Sequence, residues 1–262
     1  MCLLIVSGIC LTFDSVKLPK SNGASTTITD TLAATDFASD NPCVTAWSAS
    51  SEVAACILEY AAPLVKDRTM LVHGAAGGVG TALIELGHLA GASVIGIASS
   101  EIKCALVRSL GVTAIVRGEE PVDEAVLAVT NGRGADLIFN HMAGNSFASD
   151  LKMLAPFGMI VSYGALGGMP EQDLFRAMRV NIGHCPAVRC FTMHAFDHMP
   201  ALRDSCTEKV LRLFAEDKIA PVLGPILPLT EAAQAHRLLE QRAVIGKILL
   251  KPVNAPAAPT AT

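Results

Sequence analysis

The sequence predicts an α/β fold with a doubly wound parallel sheet, and three observations lead to that prediction. Short apolar segments alternate with helix-like segments between residues 69 and 193. The strand-like segments are apolar throughout, which is typical of strands that are buried on both faces. A glycine-rich turn joins the first of these strands to the first helix. Right-handed crossovers between such strands would give a parallel sheet with helices on both sides.

The glycine turn is the most informative stretch. The strand 69–73 leads into the small residues 74–80, and an apolar helix follows. In register with G-x-G-x-x-G, Ala75 takes the first glycine position, Gly77 the second and Gly80 the third. Small residues allow a sharp turn, let the backbone approach a pyrophosphate, and let the helix pack closely on the strand, while the free N–H groups of the helix receive the anion. The predicted phosphate-binding residues are Ala75, Ala76, Gly77, Gly78, Val79 and Gly80.

The other elements follow in regular order. Further strands are predicted over 93–98, 113–116, 135–140, 159–163 and 187–193, and helices over 45–60, 101–110, 122–130 and 146–154. The carboxyl-terminal part is predicted to hold a helix over 199–217, a proline-broken connector over 221–228, a helix over 230–240 with Thr230 as N-cap, and a strand over 245–250. This regular alternation predicts a dinucleotide-binding Rossmann fold.

Four segments are predicted along the chain. They are an irregular segment over 1–41, the Rossmann domain over 42–196, carboxyl-terminal helices and a strand over 197–252, and a frayed tail over 253–262. The apolar opening, residues 1–13, is shorter than the roughly 20 residues that a membrane-spanning helix needs. A buried strand or an unusual gene start is the interpretation of this opening, and a secretory signal is the alternative.

Composition excludes several classes of protein. Hydrophobic residues make up 51% of the 262 residues and charged ones 17%, and the net charge is −4, so neither a nucleic-acid nor a membrane partner is expected. The eight cysteines form no C-x-x-C pair, which favours a reducing, cytoplasmic location. The one histidine pair at helical spacing, His194 and His198, follows a predicted strand, so no metal site is expected.

The end of the second Rossmann strand bears on the choice of cofactor. An acidic residue there would bond the adenosine ribose 2′-OH and favour NAD. This strand ends at Ser99 and Ser100, and Lys103 lies one helical turn beyond, a set that suits a 2′-phosphate. NADPH is therefore predicted, with Arg117 as a second candidate cation. The alternatives are NADH, if Glu101 turns inward, and a purely structural role in which Ser99 starts the helix and Lys103 is solvated.

Two further loops should face the nicotinamide, because the carboxyl ends of parallel strands meet at one edge of the sheet. Asn140 and His141 follow the fourth strand, and Tyr163 and Gly164 follow the fifth. Gly144 and Gly164 would let the backbone approach the cofactor. His141 is the one candidate proton donor, and no other catalytic residue is assigned.

Five segments together resemble a known family, the zinc-independent quinone oxidoreductase and enoyl reductase branch of the medium-chain dehydrogenase/reductase superfamily. They are PCVTAW (42–47), HGAAGGVG (73–80), GRGAD (132–136), VSYGA (161–165), and AHRLLE (235–240) with IGK (245–247). The resemblance implies NADPH-dependent hydride transfer to a quinone, enone or enoyl thioester. It also implies that Thr45 lies beside the nicotinamide, and that homodimers form through the sixth strand, Ala187–Met193.

The chain departs from the family pattern at two places. Members of the branch often carry a tyrosine near the 2′-phosphate where this chain has Gly118, and they place a β-rich substrate domain before the segment that contains Thr45. Only 44 residues precede Thr45, so a partial carboxyl-terminal remnant of that domain is predicted. Two functions follow. One is a zinc-free NADPH-dependent oxidoreductase with a small-molecule substrate. The other is a non-catalytic NADPH-binding module that senses cofactor or needs a partner to supply the substrate domain.

Overall fold

A computed structural model describes residues 9–11, 50–118 and 121–251 of the chain. Residues 50–220 form one compact unit, and residues 221–251 belong with 9–11 to a second. The predicted irregular segment 1–41 lies outside the described residues except for 9–11, and so does the predicted tail 253–262. Among the described helices, none has both the length and the apolar character required to cross a bilayer.

The larger unit is built on a six-stranded parallel sheet, as predicted. Its strands are β2 (Thr69–His73), β3 (Ser93–Ala98), β4 (Thr113–Val116), β5 (Ala135–Asn140), β6 (Leu154–Ser162) and β7 (Ala187–Cys190). Their spatial order is β4-β3-β2-β5-β6-β7, and every neighbouring pair is parallel. The order reverses between β2 and β5, which is the topological switch point of a doubly wound sheet. The bounds of β2 to β5 agree with the sequence prediction.

Helices cover this sheet. They are α1 (Gly78–Leu89), α2 (Glu101–Ser109), α3 (Val122–Val129), α4 (Ser146–Lys152), α5 (Leu174–Val180) and α6 (Pro200–Ala215), and helical residues 50–56 continue into a π-helical turn, Ile57–Ala61. The fully buried Ile138, Leu151 and Ile160 form part of the core between strands and helices. Each such side chain contributes roughly 1.5–3 kcal/mol when it is removed from water. The core therefore holds the carboxyl edge of the sheet in place.

Strand β6 differs from its prediction. The predicted helix over 146–154 ends at Lys152, and β6 begins at Leu154 instead of at residue 159. Leu154 pairs with Ala135 and Met159 pairs with Leu137, so the four residues 155–158 bulge from the strand. Phe157 lies in this bulge with φ of +62° and is 77% exposed. Residues 156–158, Pro-Phe-Gly, thus belong to an irregularity within the strand.

Strand β7 is shorter than predicted, since it ends at Cys190 rather than at residue 193. The Thr192 hydroxyl accepts a hydrogen bond from the His194 N–H at 3.3 Å. That bond starts a 3₁₀ turn, Met193–Phe196, which stops the strand. The sheet edge that could meet a second copy is therefore Ala187–Cys190.

The smaller unit contains a parallel sheet in the order β1-β9-β8, with β1 (Ile9–Leu11), β8 (Leu223–Pro228) and β9 (Lys247–Lys251). The strand interpretation of the chain opening is confirmed over residues 9–11. The connector prediction over 221–228 was wrong, because β8 is a strand at the edge of its sheet, where proline is tolerated. Helix α7 (Ala232–Glu240) begins after a 3₁₀ turn, Leu229–Glu231, and Thr230 is not its N-cap.

Helix α6 lies in the larger unit, whereas the predicted boundary at residue 197 would place it with the carboxyl-terminal elements. Arg203 on α6 forms an ion pair with Glu52, and Lys209 forms one with Glu59 at 2.7 Å. Between these pairs the buried Cys206 thiol contacts Cys56, and burial together with this hydrogen bond raises the pKa of Cys56. These contacts join α6 to the helical segment 50–61.

Candidate functional site

The glycine turn leaves β2 at the switch point of the sheet and leads directly into α1. The Ala75 N–H donates to the Ile97 carbonyl at 3.0 Å, and the Gly77 N–H donates to the Gly74 carbonyl at 2.9 Å. The first α-helical bond runs from the Thr81 N–H to the Gly77 carbonyl, at 2.9 Å. The N–H groups of residues 78–80 are thus the ones that a helix start presents to an anion.

Close backbone packing shows why this turn needs small residues. A Cβ on Gly80 would lie 2.3 Å from the carbonyl oxygen of Gly74 and 2.9 Å from Cα of Ala75. A Cβ on Gly77 would lie 3.2 Å from the same oxygen. Ala75 and Ala76 are buried, while residues 77–79 are partly exposed. The turn therefore forms a cradle of backbone groups that suits a diphosphate, with the two alanines packed beneath it.

Ser100 begins α2, because its hydroxyl accepts from the backbone N–H of Lys103 at 3.5 Å. Glu101 is exposed and pairs with Arg108 on the same helix, which lowers the pKa of the Glu101 carboxyl. That carboxylate is therefore engaged along the helix surface. The residue that caps α2 is thus Ser100 and not Ser99, the residue that the structural alternative named, and Ser99 is exposed after the end of β3.

Arg117 lies next to the same strand end. Its backbone N–H donates to the Ala98 carbonyl at 2.8 Å, and the residue is exposed. The backbone of Arg117 therefore lies next to the end of β3. The two positions that follow β3 directly are Ser99 and Ser100, so neither position carries a carboxylate.

The structure brings together the residues that were predicted to face the nicotinamide. The His141 ring lies against Gly74, where a Cβ would be 2.3 Å from Cε1, and its centroid is 5.9 Å from that of the Tyr163 ring. The Tyr163 N–H donates to the Asn140 carbonyl at 3.0 Å, and burial raises the pKa of the Tyr163 phenol. A Cβ on Gly164 would lie 2.8 Å from the His141 carbonyl oxygen, so the two loops are in contact.

Asn140 differs from its predicted role, because its side chain is saturated by bonds within the protein. Oδ1 accepts from the N–H groups of Met142 and Ala143, at 2.7 and 2.9 Å. Nδ2 donates to the Ser146 hydroxyl at 2.8 Å and to the Asp150 carboxylate. An amide offers two donors and one accepting oxygen, so no group is left for a cofactor. Asn140 positions the loop instead of binding ligand through its side chain.

Sequence reasoning missed Asp150. It is fully buried, and its Oδ1 lies 2.8 Å from Nε2 of His73 at the end of β2. His73 is thus a paired histidine of the core, 6% exposed. The one signal in the sequence was an acidic residue on the buried side of a short apolar helix, where an unpaired charge would be costly.

Two predictions concern ligands at other positions. Thr45 lies outside the described residues. Within the described ranges, no group of three or more histidine, cysteine, aspartate or glutamate side chains is placed to hold a metal ion.

Comparison with known proteins gives consistent matches. The family model described as zinc-binding dehydrogenase matches residues 78–206. The quinone oxidoreductase-like protein 2 homolog of Nematostella vectensis is 30% identical over 197 residues, which are 74% of this chain and 53% of that protein. The 2-haloacrylate reductase of Burkholderia sp. is 30% identical over 187 residues, which are 70% of this chain and 55% of that protein. The chain thus spans just over half the length of these two relatives.

A solved structure shares the fold. Escherichia coli quinone oxidoreductase, crystallised as a complex with NADPH, superimposes with a TM-score of 0.73 at 22% identity. The match covers 79% of this chain and 64% of that one. At this level of identity the likeness concerns the fold.

Proposed function

Because the chain belongs to the medium-chain dehydrogenase/reductase superfamily and is similar to its zinc-independent members, we propose that it binds NADPH and transfers hydride to a small molecule. The proposed acceptor is a quinone, an enone or an enoyl thioester. The observation that carries the proposal is the turn of small residues at the switch point, where Gly80 has no room for a Cβ. When bound, NADPH would supply the hydride, and the protein would position it.

Each group of site residues would hold a different part of NADPH. The N–H groups of 78–80 would hold the diphosphate at the start of α1. Ser99, Ser100, Lys103 and Arg117 would surround the 2′-phosphate at the end of β3. The engagement of Glu101 by Arg108 supports NADPH over NADH, because that carboxylate is already paired.

The nicotinamide would lie beside the loops after β5 and β6. His141, Tyr163 and Gly164 would form that side of the site, and Thr45 would join them as the family resemblance implies. His141 is proposed as the proton donor to the reduced substrate, because its ring lies against the glycine turn at this edge of the sheet, whereas His73 at the same edge is buried and paired with Asp150.

The second proposed function involves no catalysis. The curated relatives are almost twice as long as the matched region, since 53% and 55% of their lengths are covered. The alternative proposal is a non-catalytic module that binds NADPH and either senses it or works with a partner that supplies the substrate domain.

NADPH oxidation, measured with a panel of small quinones, enones and a crotonyl thioester, separates these functions when it is combined with a calorimetric titration. We expect binding at micromolar concentration together with oxidation in the presence of at least one acceptor. Binding without oxidation by any acceptor would favour the non-catalytic module. If neither NADPH nor NADH bound, both proposals would be abandoned.

Lys103→Ala is expected to weaken NADPH binding about tenfold, equivalent to about 1.4 kcal/mol, and to leave NADH binding unchanged. The reason is that only NADPH carries the 2′-phosphate that this cation would pair with. Lys152→Ala is the matched control, because Lys152 is exposed on α4 and pairs with Asp123. Equal losses for the two nucleotides in a calorimetric titration would show that Lys103 does not contact the 2′-phosphate.

We also propose that two copies associate through β7, whose outer edge ends the sheet. An open strand edge offers unpaired backbone groups to another chain. The cytoplasm is the proposed location, in keeping with Cys56, Cys104, Cys185, Cys190 and Cys206, none of which forms a disulfide.

A further inference from the structure

A chain of buried polar side chains runs beneath the carboxyl edge of the sheet. His73 at the end of β2 contacts Asp150 on α4 at 2.8 Å, and the other Asp150 oxygen accepts from Nδ2 of Asn140. Asn140 and Asp150 are fully buried, and His73 is 6% exposed. Such a network is stable only when every member is paired, so each group restricts the orientation of the next.

The orientation of the Asn140 amide follows from Asp150. A carboxylate can only accept hydrogen bonds, so the amide must turn its Nδ2 toward Asp150 and its Oδ1 toward the opposite side. On that side Oδ1 accepts from the N–H groups of Met142 and Ala143. A reversed amide would place its oxygen against the Asp150 carboxylate. Its NH₂ group would then face the N–H groups of Met142 and Ala143, which are also donors. Asp150 thereby determines which face of Asn140 meets the loop.

The loop over 141–144 needs such a template. Ala143 and Gly144 both have left-handed backbone conformations, with φ of +53° and +57°. For a residue with a Cβ this conformation costs about 1–2 kcal/mol. Strain of this kind persists when the surrounding bonds over-determine it. The two bonds to Asn140 Oδ1 hold the chain as it enters this turn.

The same loop carries His141 to the glycine turn. The His141 ring lies against Gly74. The His141 backbone carbonyl accepts from the Leu166 N–H at 3.1 Å, and this bond links the loop over 141–144 to the loop after β6. A displacement of the loop would move this ring relative to the start of α1. The position of the ring is therefore a direct measure of the loop conformation.

We propose that Asp150 is a positioning residue for the nicotinamide side of the site. It orients the Asn140 amide, the amide holds the loop 141–144, and the loop holds the His141 ring against the glycine turn. The cofactor in this statement rests on the proposed function, whereas the coupling between Asp150 and the His141 ring is a property of the nucleotide-free protein.

The test follows the His141 Cε1–H resonance in nucleotide-free protein labelled at its seven histidines, with His141→Gln to assign the signal. Asp150→Leu is expected to displace the His141 resonance and to raise the NADPH dissociation constant about tenfold. Asp150→Asn keeps an accepting oxygen of the same shape, and we expect it to restore both readouts to near the wild-type values.

His73→Leu is the matched control, since it removes the other partner of Asp150 and leaves the bond to Asn140. We expect this variant to lose stability while it keeps the His141 resonance and the NADPH affinity. If Asp150 were merely structural, Asp150→Leu and His73→Leu would behave alike, and that result would overturn the proposal.

Two outcomes keep the inference separate from the proposed function. A wild-type protein that binds no NADPH would refute the function, while the resonance would still report on the loop. An unmoved His141 resonance in Asp150→Leu would refute the inference, whatever the protein binds. If Asp150→Leu does not fold, Asn140→Ala removes the amide through which Asp150 acts and must displace the same resonance.

Discussion

Gly80→Ala is expected to reduce NADPH affinity by at least about 100-fold, equivalent to about 2.7 kcal/mol. The added Cβ would lie 2.3 Å from the Gly74 carbonyl oxygen and 2.9 Å from Cα of Ala75. Both atoms belong to the backbone, so no side-chain rotation can relieve the contact. The start of α1 must move away from the turn, and the N–H groups that would hold the diphosphate move with it.

The control for this variant is Gly183→Ala. Gly183 lies in the 3₁₀ turn Ile182–His184, and a Cβ there would meet no atom within 4 Å. Affinity is measured by calorimetric titration, and folding by far-ultraviolet circular dichroism and thermal unfolding. If a folded Gly80→Ala protein bound NADPH as tightly as Gly183→Ala, the glycine turn would not be the phosphate site.

Asp136→Asn is expected to lower the free energy of unfolding by about 1.5–3 kcal/mol at neutral pH, because it removes the charge from a buried carboxylate that accepts hydrogen bonds from a half-exposed guanidinium group and a backbone N–H. The Asp136 side chain is 3% exposed and accepts from the Thr69 N–H at 2.8 Å. It also accepts two bonds from Arg133, at 2.9 and 2.6 Å, and Arg68 lies at 3.6 Å. These bonds join the starts of β2 and β5, and an amide would turn donors toward the guanidinium groups.

The dependence of this loss on pH has a definite sign. Burial alone would raise the pKa of Asp136, but the bonds from Arg133 and Thr69 outweigh it and hold the pKa below its ordinary value. A lowered pKa stabilises the fold above the unfolded-state value of about 3.9, and the contribution is lost as pH falls through the native value. The difference between wild type and Asp136→Asn should therefore shrink below about pH 4.

Urea unfolding at pH 7, 5 and 3 measures both effects. Asp123→Asn is the control, since Asp123 pairs with the exposed Lys152 at 3.4 Å, and the loss of such a surface pair costs about 1 kcal/mol or less. Equal losses for the two variants at pH 7 would contradict a structural role for the Asp136 network. A difference that grew at low pH would contradict the lowered pKa.

Local patterns explain why much of the large sheet could be predicted. Strands β2 to β5 are short apolar runs bounded by turn residues, and their predicted bounds agree with the structure. Strand β8 was missed because its prolines argue against a strand, and only its place at the edge of a sheet makes them acceptable. The bulge in β6 was missed because it depends on pairing with β5, which lies elsewhere in the sequence.

The candidate site divides in the same way. The glycine turn could be predicted because a turn that binds a diphosphate needs small residues in consecutive positions. The ion pair between Glu101 and Arg108 depends on the rotamers of both side chains, which the sequence does not specify. The role of Asn140 depends on Asp150, and Asp150 also pairs with His73, which is 77 residues away. Sequence spacing carries no information about contacts of that range.

The amino-acid sequence by itself determined the α/β class, the order of the main strands and the position of the glycine turn, because these follow from periodicity and residue size over neighbouring positions. Only the tertiary structure decided which polar side chains are consumed inside the protein and which remain at the edge of the sheet. The physical reason is that a buried polar group must find its partner wherever the fold places one. Asn140 and Asp150 find theirs beneath the loop, and so they hold His141 in place.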